Sequence, residues 1–166
     1  MRGDERLLMQ GGVFALESAS PCQLTHVQPT AALQDMAWKD ALVVRAASAG
    51  SAQLACGSQR TRLLIVKPAR LELVLVEAHV QLGQRFHVRA VPRDHEGREL
   101  EVGKWTEVAW HSSGSVTLAT DPSAGEFGMC TTCFGVHGFE AAKAGPATIE
   151  AHVDGAMGTL QVMAQP

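Results

Sequence analysis

The chain has 166 residues, with 14 Lys+Arg against 17 Asp+Glu and a formal net charge of −3. That slight acidic balance leaves no electrostatic footprint for nucleic acid, and a hydrophobic fraction of 46% against 19% charged residues excludes a disordered chain. Tyr and Asn are both absent, which removes Asn-linked glycosylation acceptors, Asn-Gly hairpin turns and any tyrosine corner.

The N-terminus, Met1-Arg2-Gly3-Asp4-Glu5-Arg6, is charged and leads into an apolar run too short for a signal peptide. No stretch approaches the roughly 20 apolar residues of a membrane span, so this segment is not expected to insert into a membrane directly. Residues 30–44 place Leu33, Met36, Ala37, Ala41 and Val44 near helical spacing, with Thr30 as an N-cap. The same stretch also reads as a loop near Asp40 followed by a strand over 41–45, which Val43-Val44 favours, and both readings stay open.

Beyond it the signal is period 2, the mark of a strand with one buried face. Leu63-Leu64-Ile65-Val66 ends a first run, and Lys67-Pro68-Ala69 is a short linker in which Pro68 cannot donate to a ladder. Leu71, Leu73 and Leu75 then alternate with Glu72, Val74 and Val76. Phe86, Val88 and Ala90 take one face against His87 and Arg89. Val108 and Trp110 alternate with Glu107, Ala109 and His111. Residues 147–153 and 159–164 alternate cleanly, with Asp154-Gly155 as a hairpin turn between them. Asp94-His95-Glu96-Gly97 is a polar turn and residues 121–125 a loop. The pattern predicts an all-β protein of packed antiparallel sheets.

The chain also matches itself. Ala46-Ala47-Ser48-Ala49-Gly50-Ser51-Ala52-Gln53-Leu54 aligns with Ala141-Ala142-Lys143-Ala144-Gly145-Pro146-Ala147-Thr148-Ile149 at an offset of 95 residues. Gly11-Gly12-Val13-Phe14-Ala15-Leu16 aligns with Gly83-Gln84-Arg85-Phe86-His87-Val88 at an offset of 72. The matches keep their order, so the two halves share a plan. The second carries extra residues, assignable to the hairpin over 94–105 and the loop over 121–133. The expected domains are residues 1–67 and 68–166, joined end to end by the short linker. The opening strand of the first is short, missing or supplied by an upstream module.

These residues resemble bacterial immunoglobulin-like group 2 domains of the invasin and intimin type. Gly83 with Phe86 and Val88, then Asp94 and Gly97, then Val108-Ala109-Trp110-His111-Ser112-Ser113, follow that family's order. Ala141, Gly145, Ala147, Ile149 and Ala151 form the closing element, before Leu160 and Val162. The resemblance covers residues 70–166 well and 7–66 more weakly. The repeat is also similar to the lumenal repeats of the nuclear pore membrane glycoprotein 210 family. Two departures stand out: the long loop with Cys130 and Cys133, and the lack of a Trp-Ser-Ser element in the first half, where Trp38 precedes Lys39-Asp40. The resemblance implies tandem immunoglobulin-like β-sandwiches. It also implies an extracytoplasmic place, at a bacterial surface or secreted, or alternatively in the lumen of the nuclear envelope or endoplasmic reticulum.

The chemistry-bearing residues read as structural. Cys130-Thr131-Thr132-Cys133 is a local disulfide or a pair of thiols in a loop. A zinc site wants a second such pair, whereas Cys22 and Cys56 stand singly, and a thioredoxin-like motif belongs at the start of a helix in an α/β unit. His79, His87, His95, His111 and His152 fall on strands or turns and are expected at the surface, with His26 and His137 undecided. Asp94, His95, Glu96 and Glu99 read as a solvated hairpin rather than a cation site. Ser112, Ser113 and Ser115 near His111 do not amount to a triad, because neighbours along a strand point to opposite faces.

No catalytic residue, metal ligand or cofactor is therefore expected. The expected function is a non-enzymatic structural or spacer segment of a larger protein, its partners being neighbouring repeats or other proteins. The alternative is a protein-binding or adhesion module using Phe127, Met129 and Phe134 on the loop over 121–134, and a CxxC metal or redox site at Cys130 and Cys133 is a remote third.

Overall fold

Alternation in the sequence becomes alternation of burial. Along Gly145–Val153, Ala147, Ile149 and Ala151 are buried while Thr148, Glu150 and His152 remain partly exposed. Nine- and ten-residue strands of this kind leave one apolar face that only a second sheet can cover. The computed structural model describes residues 4–16, 20–30, 32–38, 41–103, 106–118 and 136–166, and among them every regular element is a strand.

The chain divides into two compact units. The first comprises Met1–Pro68 with Asp94–Thr106, the second Ala69–Arg93 with Glu107–Pro166. The chain therefore leaves the second unit after Arg93 and re-enters it at Glu107.

Unit 1 holds β1 (Asp4–Met9), β2 (Val13–Leu16), β3 (Cys22–Gln28), β4 (Leu33–Trp38), β5 (Ala41–Ala46), β6 (Gly50–Cys56) and β7 (Gln59–Val66). They form a four-stranded sheet, β1-β7-β6-β3, and a three-stranded sheet, β2-β5-β4. Leu8, Ala52, Leu54, Leu63 and Ile65 from the first meet Phe14, Leu16, Leu33, Val44 and Ala46 from the second in one core. The helical reading of residues 30–44 is corrected here. β4 and β5 form an antiparallel hairpin from Leu33↔Ala46 to Trp38↔Ala41, and β5 pairs on its other side with β2. Val43 and Val44, 3% and 0% exposed, face opposite sides of β5, and a β-branched pair suits a strand covered on both faces.

Unit 2 holds β8 (Arg70–Leu75), β9 (Val80–Gln81), β10 (Arg85–Arg93), β11 (Ala109–Gly114), β12 (Val116–Leu118), β13 (Val136–Ala141), β14 (Gly145–Val153) and β15 (Ala156–Gln165). Its sheets run β12-β13-β10-β8 and β11-β14-β15-β9. In chain order these are strands D-E-B-A on one side and C-F-G on the other, with the short β9 added beside the last strand. That is the strand order of an immunoglobulin-like sandwich. Phe86 of β10 and Phe139 of β13 stack at 5.8 Å, and Trp110 of β11 meets Phe139 edge-on at 5.6 Å across the two sheets. Gly158 of β15 lies so close to β8 that a Cβ there would stand 2.4 Å from the Leu71 carbonyl oxygen. Asp154 and Gly155, both at positive φ, close the β14–β15 hairpin as the Asp-Gly pair predicts.

The internal repeat extends to individual hydrogen bonds. In both units a short strand pairs in parallel with the last strand, β1 with β7 and β9 with β15. The chain then turns at a glycine of positive φ, Gly11 (87°) or Gly83 (78°), into the other sheet. The Gly11 N–H donates to the Ala46 carbonyl at 2.7 Å, and the Gly83 N–H to the Ala141 carbonyl at 2.9 Å. The Ala46 N–H donates to Gly12 O as that of Ala141 does to Gln84 O, and Gln10 N–H to Val66 O as Leu82 N–H does to Gln165 O.

Cys22 and Cys56 are bonded to one another. They are register partners at the end of the β3–β6 ladder, with Cα atoms 4.2 Å apart and a separation of 34 positions in sequence.

Two stability measurements follow. Phe139→Ala removes a fully buried ring that touches both Phe86 and Trp110, and is expected to lower the opening free energy of unit 2 by about 3–5 kcal/mol. Native-state hydrogen exchange at the Ile149 amide reads it. Reducing the Cys22–Cys56 bond releases the unfolded loop it closes and is expected to cost unit 1 roughly 4 kcal/mol, read at the β6 amides.

Candidate functional site

Phe127, Met129 and Phe134, expected to form a partner-binding surface, lie outside the described residues, as do Cys130 and Cys133. The structure does describe the two strands that carry this loop. β12 and β13 are antiparallel neighbours, with Leu118 opposite Phe139. Leu118 on one side and Val136 on the other are 47% and 54% exposed. On the outer face of the same sheet Val136 pairs with Arg89 and Arg89 with Val74, and Val74 and Val76 are exposed as well. Behind Val136, the His137 ring packs on Trp110 at 4.8 Å. Trp110 faces inward as its place in the alternation predicts, and its indole Nε1 is buried without a hydrogen-bond partner.

The histidines are dispersed. His26, His79, His95 and His111 are exposed, and His87, His137 and His152 half-buried. His111 and His152 meet edge-on at 5.6 Å on the outer face of the β11–β14 pair, beside Glu150. His87 Nδ1 lies 2.6 Å from Glu77 Oε1, and Glu77 Oε2 accepts the His87 backbone N–H at 2.7 Å. Burial pushes the Glu77 carboxyl up, but the hydrogen bonds from His87 outweigh it and hold the group below the usual carboxylate range. Among the described residues no group of three or more His, Cys, Asp or Glu could hold a metal ion.

Of the serines near His111, Ser115 supports a turn. Ser115 is buried and its hydroxyl donates to the Gly145 carbonyl at 2.9 Å, while its own carbonyl accepts the Ala142 N–H at 2.9 Å. It braces the turn into β14, and its proton is committed to a backbone carbonyl rather than to a base.

The polar turn at 94–97 differs from the solvated hairpin expected of it. Asp94 is only 4% exposed. Its Oδ1 accepts the backbone N–H groups of Glu96 at 2.9 Å and Arg98 at 2.8 Å, and its Oδ2 takes the Arg98 Nε–H at 2.8 Å. The Asp94 N–H donates to Arg98 O, and Gly97, at φ 82°, donates to Asp94 O. Burial raises the Asp94 pKa, but Arg98 with these backbone donors more than reverses it, and the carboxyl titrates below its ordinary range. The Asp-x-x-Gly spacing signals such a turn, whereas the burial of its carboxylate has no sequence signal. The Cys22–Cys56 pairing was equally unsignalled, since two strands intervene between the partners.

By strand order and pairing this is an all-β protein of two immunoglobulin-like β-sandwiches. No protein-family model matches the chain, and no curated protein does. Among solved structures it is similar to domains 5–6 of the S-layer protein SbsC, at 10% identity over 98% of this chain and 94% of that one, with a TM-score of 0.39. It is similar to the Escherichia coli adhesin FdeC at 13% identity over 99% of this chain, with a TM-score of 0.41. It is also similar to the Yersinia pseudotuberculosis adhesin InvE at 12% identity over 99% of this chain, with a TM-score of 0.38. The chain spans 62% of the FdeC chain and 56% of the InvE chain.

The Asp94 geometry sets an acid dependence. A carboxyl whose folded-state pKa is depressed stabilises the fold above its unfolded-state pKa, near 3.9, and that stability is lost as pH falls through the folded value. Asp94→Asn is therefore expected to melt below the wild type at pH 7. The gap should persist down to about pH 5 and close as pH falls below about 4, which thermal melts across that range measure.

Proposed function

We propose that the chain is a structural, spacer-type segment of tandem immunoglobulin-like modules in a larger extracytoplasmic protein, of the bacterial group 2 type that its sequence resembles. The observation that carries this reading is the repetition of one sandwich plan down to its corner hydrogen bonds, at Gly11 and again at Gly83. Stacked copies of one module reuse a solved folding problem and extend a chain without new chemistry. The module limits we propose are 1–67 and 68–166 as units of sequence, with residues 94–106 lent by the second to the packing of the first.

The Cys22–Cys56 bond supports the placing, since disulfides form and persist in secreted, periplasmic and surface proteins and are rare where thiols are kept reduced. No observation of the structure favours the lumen of the nuclear envelope or endoplasmic reticulum over a bacterial surface. Neighbouring repeats are the natural partners of such a segment.

A second reading, adhesion through the loop over 121–134, is favoured by the exposed Leu118 and Val136 on the strands that bear it. Exposed apolar side chains beside a long loop are where a sandwich presents a protein-binding surface. Deleting residues 121–134 would abolish attachment of the bearing cells to a protein-coated surface on this second reading and leave it unchanged on the first.

The main proposal is tested on the native protein in intact cells. Externally added protease is expected to cleave it, and Cys22 and Cys56 are expected to resist alkylation until reduced. Protection from external protease, or free thiols at both positions, would overturn the extracytoplasmic reading.

A further inference from the structure

In unit 1, β1 is the outer strand of the sheet β1-β7-β6-β3, so one edge of its backbone has no strand of that sheet beside it. Residues of the segment Asp94–Thr106 meet that edge within the same compact unit. The Met9 N–H donates to Glu101 O at 2.9 Å and the Glu101 N–H to Leu7 O at 2.7 Å, a parallel bridge opposite Leu8. The Glu101 carboxylate clasps the Arg6 guanidinium through Nε at 3.0 Å and Nη2 at 2.7 Å. Thr106 Oγ1 accepts the Val13 N–H at 3.3 Å. Gly103 lies against the same residue so closely that a Cβ would stand 1.5 Å from the Val13 carbonyl oxygen. Leu100, Thr106 and Met9 are 1%, 3% and 0% exposed.

The equivalent corner of unit 2 supplies an internal comparison. The corner hydrogen bonds place His79, Gln81, Gln84 and Arg85 where unit 1 has Leu7, Met9, Gly12 and Val13. All four are exposed in unit 2, whereas Met9 and Gly12 are buried and Leu7 and Val13 half-buried in unit 1. Ala78 takes the place of Arg6. Two copies of one plan thus differ in composition at the patch the segment covers. The covered copy is apolar, with an arginine for the Glu101 carboxylate; the other is polar.

We propose that the edge of β1, with Arg6 and Val13, is a strand-acceptor site whose occupant is the arm Asp94–Thr106, and that the arm is an integral stabilising element of the first unit although the second sequence module encodes it. The arm begins at the self-contained Asp94 turn, presents Glu101 in extended form, and passes Val13 at Gly103. An unpaired strand edge invites pairing with other chains, and the arm removes that hazard for β1.

Hydrogen exchange on the full chain tests this. In the wild type the Met9 and Glu101 amides are expected to be protected. Gly103→Val drives a side chain into the Val13 carbonyl and is expected to speed exchange at Met9 at least about tenfold, with Ile149 and Leu160 of unit 2 unchanged. Glu101→Ala removes the clasp but keeps both backbone bonds, and an exposed ion pair of this kind is worth about a fivefold change or less. If Gly103→Val accelerates both units together, Glu101→Pro decides: it deletes only the donor to Leu7 and is expected to reproduce the local effect. Free-peptide exchange at Met9 and Glu101 in the wild type, or Met9 exchange untouched by both Gly103→Val and Glu101→Pro, would overturn the proposal.

Discussion

A strand at the rim of a sheet carries a row of peptide groups with no partner, and the way this chain satisfies those rows governs the rest of its structure. In each unit a short early strand lies parallel to the last, which covers one rim of the last strand. The remaining ladders are antiparallel. The opening strand of unit 1 keeps an outer edge, and that edge meets backbone groups from a segment nearly a hundred residues away in sequence.

Several local features follow from that constraint. The chain must leave the opening strand and enter the facing sheet within a few residues, which demands a left-handed backbone, and both copies place glycine there. The segment reaching β1 needs a fixed start, and the buried Asp94 carboxylate supplies it by gathering two backbone N–H groups and the Arg98 guanidinium. Such a carboxylate is tolerated in a buried place because its acceptors are filled by donors, one of them charged. The close approach at Val13 needs a residue without a Cβ, and Gly103 stands there.

The surface is correspondingly plain. Where titratable groups meet, as at His87 with Glu77 or Arg6 with Glu101, they tie one strand or segment to another. Ser115 braces a turn, and Leu118 and Val136 stand exposed on β12 and β13.

Much of this was legible in the residues themselves. Period-2 runs at 71–76, 86–90, 147–153 and 159–164 mark strands because side chains alternate across a pleat, and the faces read from them are the faces buried. The duplication was legible because the same turn needs the same glycine twice. Residues 30–44 were ambiguous, since their apolar residues fit a helix or a loop followed by a strand, and only pairing with β2 and β4 makes 41–46 a strand. The Cys22–Cys56 bond, the burial of Asp94 and the path of residues 94–106 carried no local signal at all. Each depends on which strands become neighbours, and that is set by the packing of two apolar faces across a core rather than by any short-range preference. The sequence alone therefore determined the strands, their buried faces and their repetition. Tertiary structure alone decided which edges meet, because the partner of an edge peptide group is chosen by proximity in space, and sequence spacing does not encode it.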